Sequence, residues 1–341
     1  MKRFLYEIAQ DKKKGPVAFS LKPVLYFLSL IYGFCVALLT YSYRKGIFPG
    51  YKSKVKVISV GNLTLGGTGK TPFIEFLAAR LIARGHKVSV LSRGYSDDES
   101  RMLAKNIPQL KILIGKDRVE SAKQIEKESE IGCIILDDGF QHWRLKRDMD
   151  IVLINSANPF GNKKLIPRGI LREPVSALRR AQVVVLTKTD LARNLNLLRE
   201  HLMAVNPYIL LVHAVHKPQC FYDLDGRKIE LKQLEGRSVC LLSGIGDPDS
   251  FRDTVLNLGI KPGLILNYPD HYSYTKDDML DVLSKCSGKG INAIVTTEKD
   301  LVRLPQDVKW GKIACFVLKI ELTITRNEDK LLDRISGVLG S

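Results

Sequence analysis

Residues 55–71, VKVISVGNLTLGGTGKT, decide how this 341-residue chain folds. An apolar run that is typical of a buried strand leads into glycines and then into Lys-Thr, where a helix can begin. Glycines at positions 66, 67 and 69 allow the backbone to turn tightly and to direct its N–H groups at phosphate oxygens, and the N-terminus of the next helix favours anions. The stretch therefore predicts a phosphate-binding loop.

The loop residues have predicted roles. Lys70 is expected to reach the β- and γ-phosphates of a nucleotide, and Thr71 to place its hydroxyl on Mg²⁺. The usual G-x-x-x-x-G-K-[ST] spacing has a glycine at position 64, where this chain has threonine. The alternative is a glycine turn with no role beyond starting the helix. The predicted nucleotide-binding residues are Thr64, Leu65, Gly66, Gly67, Thr68, Gly69, Lys70 and Thr71.

An uncharged segment, residues 24–43, precedes the loop. About 20 residues of helix cover the hydrocarbon core of a bilayer. Four tyrosines and two serines make the segment less apolar than a committed span, so a helix lying in the interface is the alternative. Eleven basic but only two acidic residues precede Val57, so this region carries more than half of the net charge of +17. That placement predicts an anionic membrane surface as partner, and no nucleic acid.

Six scattered cysteines without a C-x-x-C pair predict buried thiols in a reducing compartment, with neither disulfides nor a zinc site.

Short β-rich runs alternate with helical stretches after the loop. This alternation predicts an α/β fold, P-loop NTPase-like, with a mostly parallel sheet flanked by helices. Ligands on such a sheet bind beyond the carboxyl ends of the strands. The predicted strands are residues 87–92, 111–114, 133–136, 151–154 and 183–186, and the predicted helices include residues 72–84 and 117–128.

The pattern changes near residue 213. Residues 221–231 contain Asp225-Gly226 and predict a β-hairpin connector. A second, smaller α/β unit follows, with one helix opened by a capping box at Thr275 and Asp278. The predicted division is a membrane-associating segment over residues 1–50, a kinase domain over 51–215, and a lid or second domain over 216–341.

Acidic residues follow two of the predicted strands. Asp137 and Asp138 end the strand 133–136, where one carboxylate is expected to hold the metal directly or through water, although the spacing leaves open which one. Asp98 and Glu99 follow the strand 87–92 and suit the base that takes the proton of an acceptor hydroxyl. The alternative for each pair is a polar turn.

Other candidates lie in loops. Arg168 and Arg172 are suited to stabilise phosphate charge, and Glu173 to add to the metal shell. His271 follows an aspartate and is suited to complete a base dyad, the alternative being an ordinary surface histidine. Residues 187–190, Thr-Lys-Thr-Asp, match the guanine-reading N/TKxD pattern of GTPases, which a strand-to-helix turn capped by Asp explains equally well.

Several motifs together resemble the tetraacyldisaccharide 4′-kinases, the lipid A 4′-kinases of Gram-negative bacteria. The resemblance runs from the apolar N-terminal segment to Val302, nearly the whole chain, and includes the threonine at position 64. The motifs are VGNLTLGGTGKTP, LSRGY, Asp98-Glu99, LDDGFQH, RGILREP, SGIG, PDHY and VTTEKD.

The resemblance implies a reaction and a site. The γ-phosphate of ATP would pass to the 4′-hydroxyl of an acylated disaccharide 1-phosphate lipid, with Mg²⁺, at the cytoplasmic face of the inner membrane. The family often has a longer insert before Asp98-Glu99, so Asp97 is the alternative base. The implied site residues are Lys70 and Thr71 at phosphate and metal, Asp98 as base tuned by His271, Asp137 or Asp138 at the metal, and Glu99, Gln141, His142, Arg172 and Glu173 completing the site.

Two other functions compete with this interpretation. A membrane-tethered switch that hydrolyses ATP or GTP has the N/TKxD match as its distinctive support. A nucleic-acid binder has only charge in its favour, because the aromatic-rich basic face that single-strand binding needs is not evident in the sequence.

Overall fold

A computed structural model of the protein describes residues 2–13, 15–94, 97–128 and 131–340, and for residues 2–5 and 97–99 it describes the backbone alone. The α-helices in the described residues are α1 (Lys2–Ala9), α2 (Pro16–Arg44), α3 (Lys70–Ala83), α4 (Asp97–Asn106), α5 (Arg118–Glu126), α6 (Leu195–Val205), α7 (Pro248–Asn257), α8 (Lys276–Gly288), α9 (Glu298–Leu301) and α10 (Glu328–Leu339). Short 3₁₀ helices cover Val175–Arg180, Thr189–Leu191 and Leu231–Leu234.

The strands lie close to the predicted positions. Each predicted strand in the first part of the chain is present, with ends that move by at most two residues. The strands are β1 (Lys56–Asn62), β2 (Val88–Ser92), β3 (Lys111–Ile114), β4 (Cys133–Asp137), β5 (Met149–Asn155), β6 (Val183–Thr187), β7 (Leu210–Tyr222), β8 (Lys228–Ile229), β9 (Ser238–Ser243), β10 (Lys261–Asn267), β11 (Ala293–Thr297) and β12 (Ala314–Arg326).

The chain forms two compact units. The first comprises residues 1–95, 103–215 and 322–341, and the second comprises residues 96–102 and 216–321. The predicted boundary after residue 215 coincides with a division in the structure, but residues 322–341 lie in the first unit and residues 96–102 in the second. The C-terminal segment joins the first unit because α10 buries Leu331 and Ile335 in the same apolar cluster as Phe73 of α3.

The first unit is built on parallel strands in the order β3-β2-β4-β1-β5-β6-β7. Strand β1 is central, and all of its residues after Lys56 are buried, as expected for a strand covered on both faces. Helix α3 begins at Lys70 and confirms the predicted helix after the glycine loop. The carboxyl ends of β1, β2 and β4 therefore meet at the same edge of the sheet as the loop.

The second unit contains parallel strands in the order β10-β9-β11-β12. The predicted hairpin is present as an antiparallel pair between the end of β7 and β8, with Phe221 opposite Ile229. The capping box is also present, because the Asp278 amide donates to Thr275 Oγ1 at 3.1 Å and the Thr275 amide donates to Asp278 Oδ2 at 2.8 Å.

Helix α2 leaves most of its apolar surface exposed. The side chains of Phe19 and Phe34 are 79% and 70% exposed, and only Ala18, Leu25 and two serines are buried along 29 residues. Among the described residues, α2 is the one helix whose length and composition suffice to cross a membrane. The six cysteines are unpaired, and all except Cys35 are buried, as predicted.

Candidate active site

The glycine loop connects β1 directly to α3. Gly69 precedes the helix at φ +83°, a conformation that residues with side chains rarely adopt. The Asn62 side-chain amide stabilises the turn from inside, because it donates to the Thr64 carbonyl at 2.9 Å and to Thr68 Oγ1 at 3.1 Å. The hydrogen bonds of Asn62 therefore fix the shape of the loop. Lys70 and Thr71 lie in the first turn of α3.

The threonine at position 64 has a structural explanation. Thr64 lies in an antiparallel bridge opposite Leu171. The Leu65 amide donates to the Ile170 carbonyl and the Arg172 amide to the Leu63 carbonyl, each at 2.7 Å. An extended backbone paired in this way does not need the left-handed conformation that glycine supplies. The departure from the usual loop pattern thus leaves the loop geometry intact.

Asp138 is the carboxylate that the structure brings to Lys70. Lys70 Nζ lies 3.5 Å from Asp138 Oδ1, and Arg172 Nη1 donates to both oxygens of Asp138 at 2.9 Å. Arg172 Nη1 also lies 3.2 Å from Gln141 Oε1, while Gln141 donates to the Asn62 carbonyl at 3.0 Å. Burial opposes ionisation of Asp138, but Lys70 and Arg172 outweigh it and lower the pKa of this carboxyl.

Asp137 is oriented differently from its neighbour. It is the last residue of β4, in register with Val60 of β1, and its Oδ2 accepts a hydrogen bond from Ser92 at 3.1 Å. Its backbone carbonyl accepts from Arg118 at 3.2 Å. Asp138 has left the strand and adopts φ +51°. Two adjacent carboxylates at this strand end therefore contact different groups.

Glu173 forms a buried ion pair. The residue is 2% exposed, and Arg180 donates to its two carboxylate oxygens at 2.7 and 2.8 Å. Arg180 also donates to the Phe140 carbonyl at 2.9 Å, and its guanidinium lies 3.6 Å from the centre of the Phe140 ring. Direct metal ligation by Glu173, as predicted, would require this pair to open. Arg168, predicted at phosphate, instead pairs with Asp11 at 2.9 Å.

The membrane-type helix reaches the same loop. The Tyr32 hydroxyl of α2 donates to the Arg172 carbonyl at 2.9 Å. Gly33 lies so close to Leu165 that an added Cβ would stand 2.8 Å from Leu165 Cδ1. Helix α2 is thus packed against the segment that pairs with the phosphate loop.

His271 lies in the second unit, in the loop after β10. Its Nδ1 is 3.1 Å from Arg303 Nη2, and its Nε2 is 3.8 Å from Asp270 Oδ2. The side chains of Asp98 and Glu99 lie outside the described residues. Their backbone belongs to the first turn of α4, and residues 96–102 fall in the same compact unit as His271.

Comparison with known proteins identifies the family. A family model described as tetraacyldisaccharide-1-P 4′-kinase matches residues 21–98 and 96–339. The chain belongs to this family. Tetraacyldisaccharide 4′-kinases of Syntrophus aciditrophicus and Elusimicrobium minutum are 36% and 34% identical to it, over 92% and 88% of this chain and 91% and 87% of theirs. The resemblance drawn from the motifs is confirmed.

A solved structure of the tetraacyldisaccharide 4′-kinase family agrees with the fold. LpxK from Aquifex aeolicus, in complex with ATP, is 28% identical and superposes with a TM-score of 0.71, covering 94% of this chain and 99% of that chain. The predicted P-loop fold with a second α/β unit and an apolar N-terminal helix is confirmed by this match.

The N/TKxD segment also contacts the phosphate loop of this family member. The Thr187 hydroxyl, at the end of β6, donates to the Thr68 carbonyl at 3.0 Å. Lys188 is buried at φ +54°, and Asp190 is exposed. The segment is therefore a strand-end turn that supports the loop from the side opposite Asp138 in the strand order.

His142 is held as a neutral imidazole. The Leu145 amide donates to its Nδ1 at 3.3 Å, so Nδ1 is unprotonated. Burial and three nearby arginines lower the pKa of His142 to about 4. Burial has the larger effect, and the arginines add to it because they repel the positive charge of a protonated imidazole. These arginines are Arg118, Arg147 and Arg144.

This neutral His142 predicts a pH-dependent stability. The unfolded chain takes up a proton near pH 6.5 and the folded chain only near pH 4, so the stabilisation is fully present above about pH 6.5 and is lost as pH falls towards 4. The free energy of unfolding of wild type is expected to fall between pH 7 and pH 4.5. We expect this fall to be smaller by about 2 kcal/mol in His142→Gln, after allowance for solvent screening. Urea unfolding at pH 7 and pH 4.5 measures it, with His201→Gln on the exposed surface of α6 as control. Identical pH slopes for wild type and His142→Gln would contradict it.

Three features of the site were not predicted from the sequence. They are the pairing of residues 63–65 with 170–172, the Arg180 clamp on Glu173, and the contact of Arg303 with His271. The partners are distant along the chain or lack a motif of their own. The non-periodic motif RGILREP indicates an extended segment, which is compatible with the pairing of residues 63–65 with 170–172. Nothing in the motif predicts that its partner follows β1.

Proposed function

We propose that this protein transfers the γ-phosphate of ATP to the 4′-hydroxyl of a tetraacyldisaccharide 1-phosphate and so makes the bis-phosphorylated lipid A precursor. The observation that carries the proposal is the approach of Lys70 to Asp138 beside a glycine loop that ends in Lys-Thr. A cation, a carboxylate and a set of backbone amides at one strand end are the groups that phosphoryl transfer needs.

The residues at this edge fit Mg²⁺. Thr71 offers a hydroxyl, and Asp137 and Asp138 offer carboxylates, which are the hard oxygen donors that Mg²⁺ prefers. No group of three acidic, histidine or cysteine residues suited to a metal occurs in the described part of the chain. Mg²⁺ usually binds through one or two carboxylates together with waters and phosphate oxygens. When bound, Mg²⁺ would neutralise charge on the β- and γ-phosphates.

Asp138 changes partners in this proposal. Without nucleotide, Lys70 and Arg172 balance its charge. With nucleotide bound, Lys70 would face the phosphates and Asp138 would keep Arg172 and offer an oxygen to the metal, while Asp137 would stay with Ser92 and orient water. We propose Glu173 as a positioning residue, because its two oxygens accept from Arg180 and Arg180 in turn supports the chain at Phe140.

The acceptor hydroxyl needs a base. We propose Asp98 for this role, with His271 as its partner and Glu99 beside it, and the assignment of all three to one compact unit supports it. Gln141 and His142 complete the wall around Arg172 and the strand end. His142 is neutral, so it adds no further positive charge beside the arginines that surround it.

The membrane is the proposed location of the substrate. A lipid with four acyl chains does not leave a bilayer easily, at about 0.8 kcal/mol per buried CH₂. The exposed apolar surface of α2 and the basic residues that flank it suit the anionic cytoplasmic face of the inner membrane of a Gram-negative bacterium. The acceptor and the anchor then share one surface.

One labelling experiment tests the proposed function. Purified protein is incubated with γ-labelled ATP, Mg²⁺ and a tetraacyldisaccharide 1-phosphate in detergent, and the products are separated. Label in the lipid at the 4′-position is the expected result. Label found only as free phosphate would support the nucleotide switch instead, for which the Thr187 contact with the loop is the structural argument. A parallel reaction with γ-labelled GTP tests that alternative directly.

A further inference from the structure

Three family motifs meet around one buried carboxylate in the second unit. They are SGIG at residues 243–246, PDHY at 269–272 and VTTEKD at 295–300. Of these motifs, the proposed reaction uses His271 alone. The contacts of Asp300, the last residue of VTTEKD, show how VTTEKD and SGIG support the loop that carries His271.

Asp300 ties two of these segments together. It is fully buried, and its Oδ1 accepts from the Gly244 amide at 2.8 Å and from the Tyr274 hydroxyl at 3.1 Å. Its Oδ2 accepts from the Thr297 hydroxyl at 2.7 Å. A buried carboxylate with three donors is a fixed point of the structure, because moving it would leave each donor without its partner.

Arg303 connects this fixed point to His271. Its Nη1 donates to the Gly244 carbonyl at 3.1 Å and lies 3.9 Å from Asp300 Oδ1, while its Nη2 contacts His271 Nδ1 at 3.1 Å. The His271 amide also donates to the Gly244 carbonyl, at 3.1 Å. The side chain of Arg303 is only 2% exposed. The guanidinium therefore contacts the ring of His271 directly, and it shares the Gly244 carbonyl with the backbone amide of His271.

The contact also determines where the ring carries its hydrogen. Arginine has only donors and does not lose its proton in proteins, so His271 Nδ1 must accept from Arg303. The hydrogen of the neutral ring then lies on Nε2. The Nε2 edge faces away from Arg303, and the side chain of His271 is 41% exposed. Nε2 is thus the nitrogen that can donate to a carboxylate, and Asp270 Oδ2 lies 3.8 Å from it.

We propose that Arg303, anchored by Asp300, is a positioning residue that fixes the orientation and the Nε2–H tautomer of His271 for its work with the base. This inference rests on the proposed role of His271 in the reaction. Arg303 touches neither nucleotide nor acceptor in this proposal. It acts by keeping a donor, Nε2–H, available for the carboxylate of the base, as a second partner does in other histidine and carboxylate pairs.

The test compares three variants in the full-length protein. Arg303→Met removes the donor, Arg303→Lys keeps the charge without the fork, and Arg227→Met removes an exposed cation of the same unit as a control. We expect Arg303→Met to lower kcat by about 10–100-fold with little change in KM for ATP. We expect Arg303→Lys to fall between, and Arg227→Met to match wild type.

A spectroscopic readout separates positioning from general stability. In protein with ¹⁵N-labelled histidine, the His271 resonance is assigned by comparison with His271→Ala, and its two nitrogen shifts report the tautomer. We expect wild type to show an unprotonated Nδ1 and Arg303→Met to show a mixture. A protonated Nδ1 in wild type would overturn the inference even if no variant folds. So would an unchanged tautomer and unchanged kcat in folded Arg303→Met.

The same experiment keeps the two proposals apart. If His271→Ala retains full kinase turnover, the proposed role of His271 fails and the inference falls with it. If His271→Ala loses turnover but folded Arg303→Met does not, the base pair stands and the role of Arg303 is refuted.

Discussion

Replacing Lys70 with methionine is expected to lower kcat/KM for phosphoryl transfer by about 10³-fold. Lys70 is the first residue of α3 and the one cation of the glycine loop, 3.5 Å from Asp138. Methionine keeps much of the stem and removes the charge proposed to meet the γ-phosphate. It also leaves Asp138 with Arg172 and Arg118 as neighbouring cations, so the carboxylate loses part of its charge balance.

Initial rates with labelled ATP and lipid acceptor measure this effect, with nucleotide binding followed separately by calorimetry. The matched control is Lys123→Met, which removes an exposed cation from α5 in the same unit. We expect the control to keep wild-type rates. Turnover by Lys70→Met at the wild-type rate would show that the loop does not grip the transferred phosphate, and the proposed site would be wrong.

Replacing Asp98 with asparagine is expected to lower kcat by about 10²–10⁴-fold while ATP affinity stays within a few-fold of wild type. An asparagine is similar in size but cannot take the proton of the acceptor hydroxyl. Asp98 lies in the first turn of α4, and in the chain this helix is the next one after β2. The nucleotide contacts proposed for Lys70 and Thr71 do not involve Asp98.

The neighbouring aspartate supplies the control for this prediction. Asp97→Asn makes the same chemical change one residue earlier, and it tests the alternative base that the shortened segment before Asp98 suggests. We expect Asp97→Asn to keep most of the activity. The reverse result, with Asp97→Asn inactive and Asp98→Asn active, would move the base by one residue and leave the rest of the proposal in place.

The strand ends of the first unit could be predicted because their signals are local. An apolar run followed by Asp137-Asp138, and another followed by glycines and Lys70, each identify a strand and its carboxyl end. Parallel pairing then brings the ends together, and the structure has Val60 beside Asp137. These rules place Lys70 near the pair Asp137 and Asp138, but they leave open which of the two carboxylates it contacts.

The clamps around those ends could not be predicted. Arg180 has no motif of its own, and its bond to Glu173 depends on a 3₁₀ turn that brings the two side chains together. The compact units differ from the predicted division at two segments, residues 96–102 and 322–341, for a related reason. Strand β12 continues without interruption from residue 314 to residue 326, although the chain passes at residue 321 from the second compact unit to the first. The periodicity of apolar residues indicates which face of a helix or strand is buried. It does not indicate which other element that face packs against.

The hydrogen bond from Tyr32 to the Arg172 carbonyl would, in a membrane-bound protein, fix the height of the site above the bilayer. With α2 immersed in lipid as proposed, the residue that holds Asp138 is tied to a helix whose depth the membrane sets. The phosphate loop would then stay at the depth of the lipid headgroups, unlike a site that a flexible linker joins to its anchor. If α2 is immersed as proposed, the enzyme would meet its acceptor by diffusion in the membrane plane, and its rate would follow the surface density of the acceptor more than its bulk concentration.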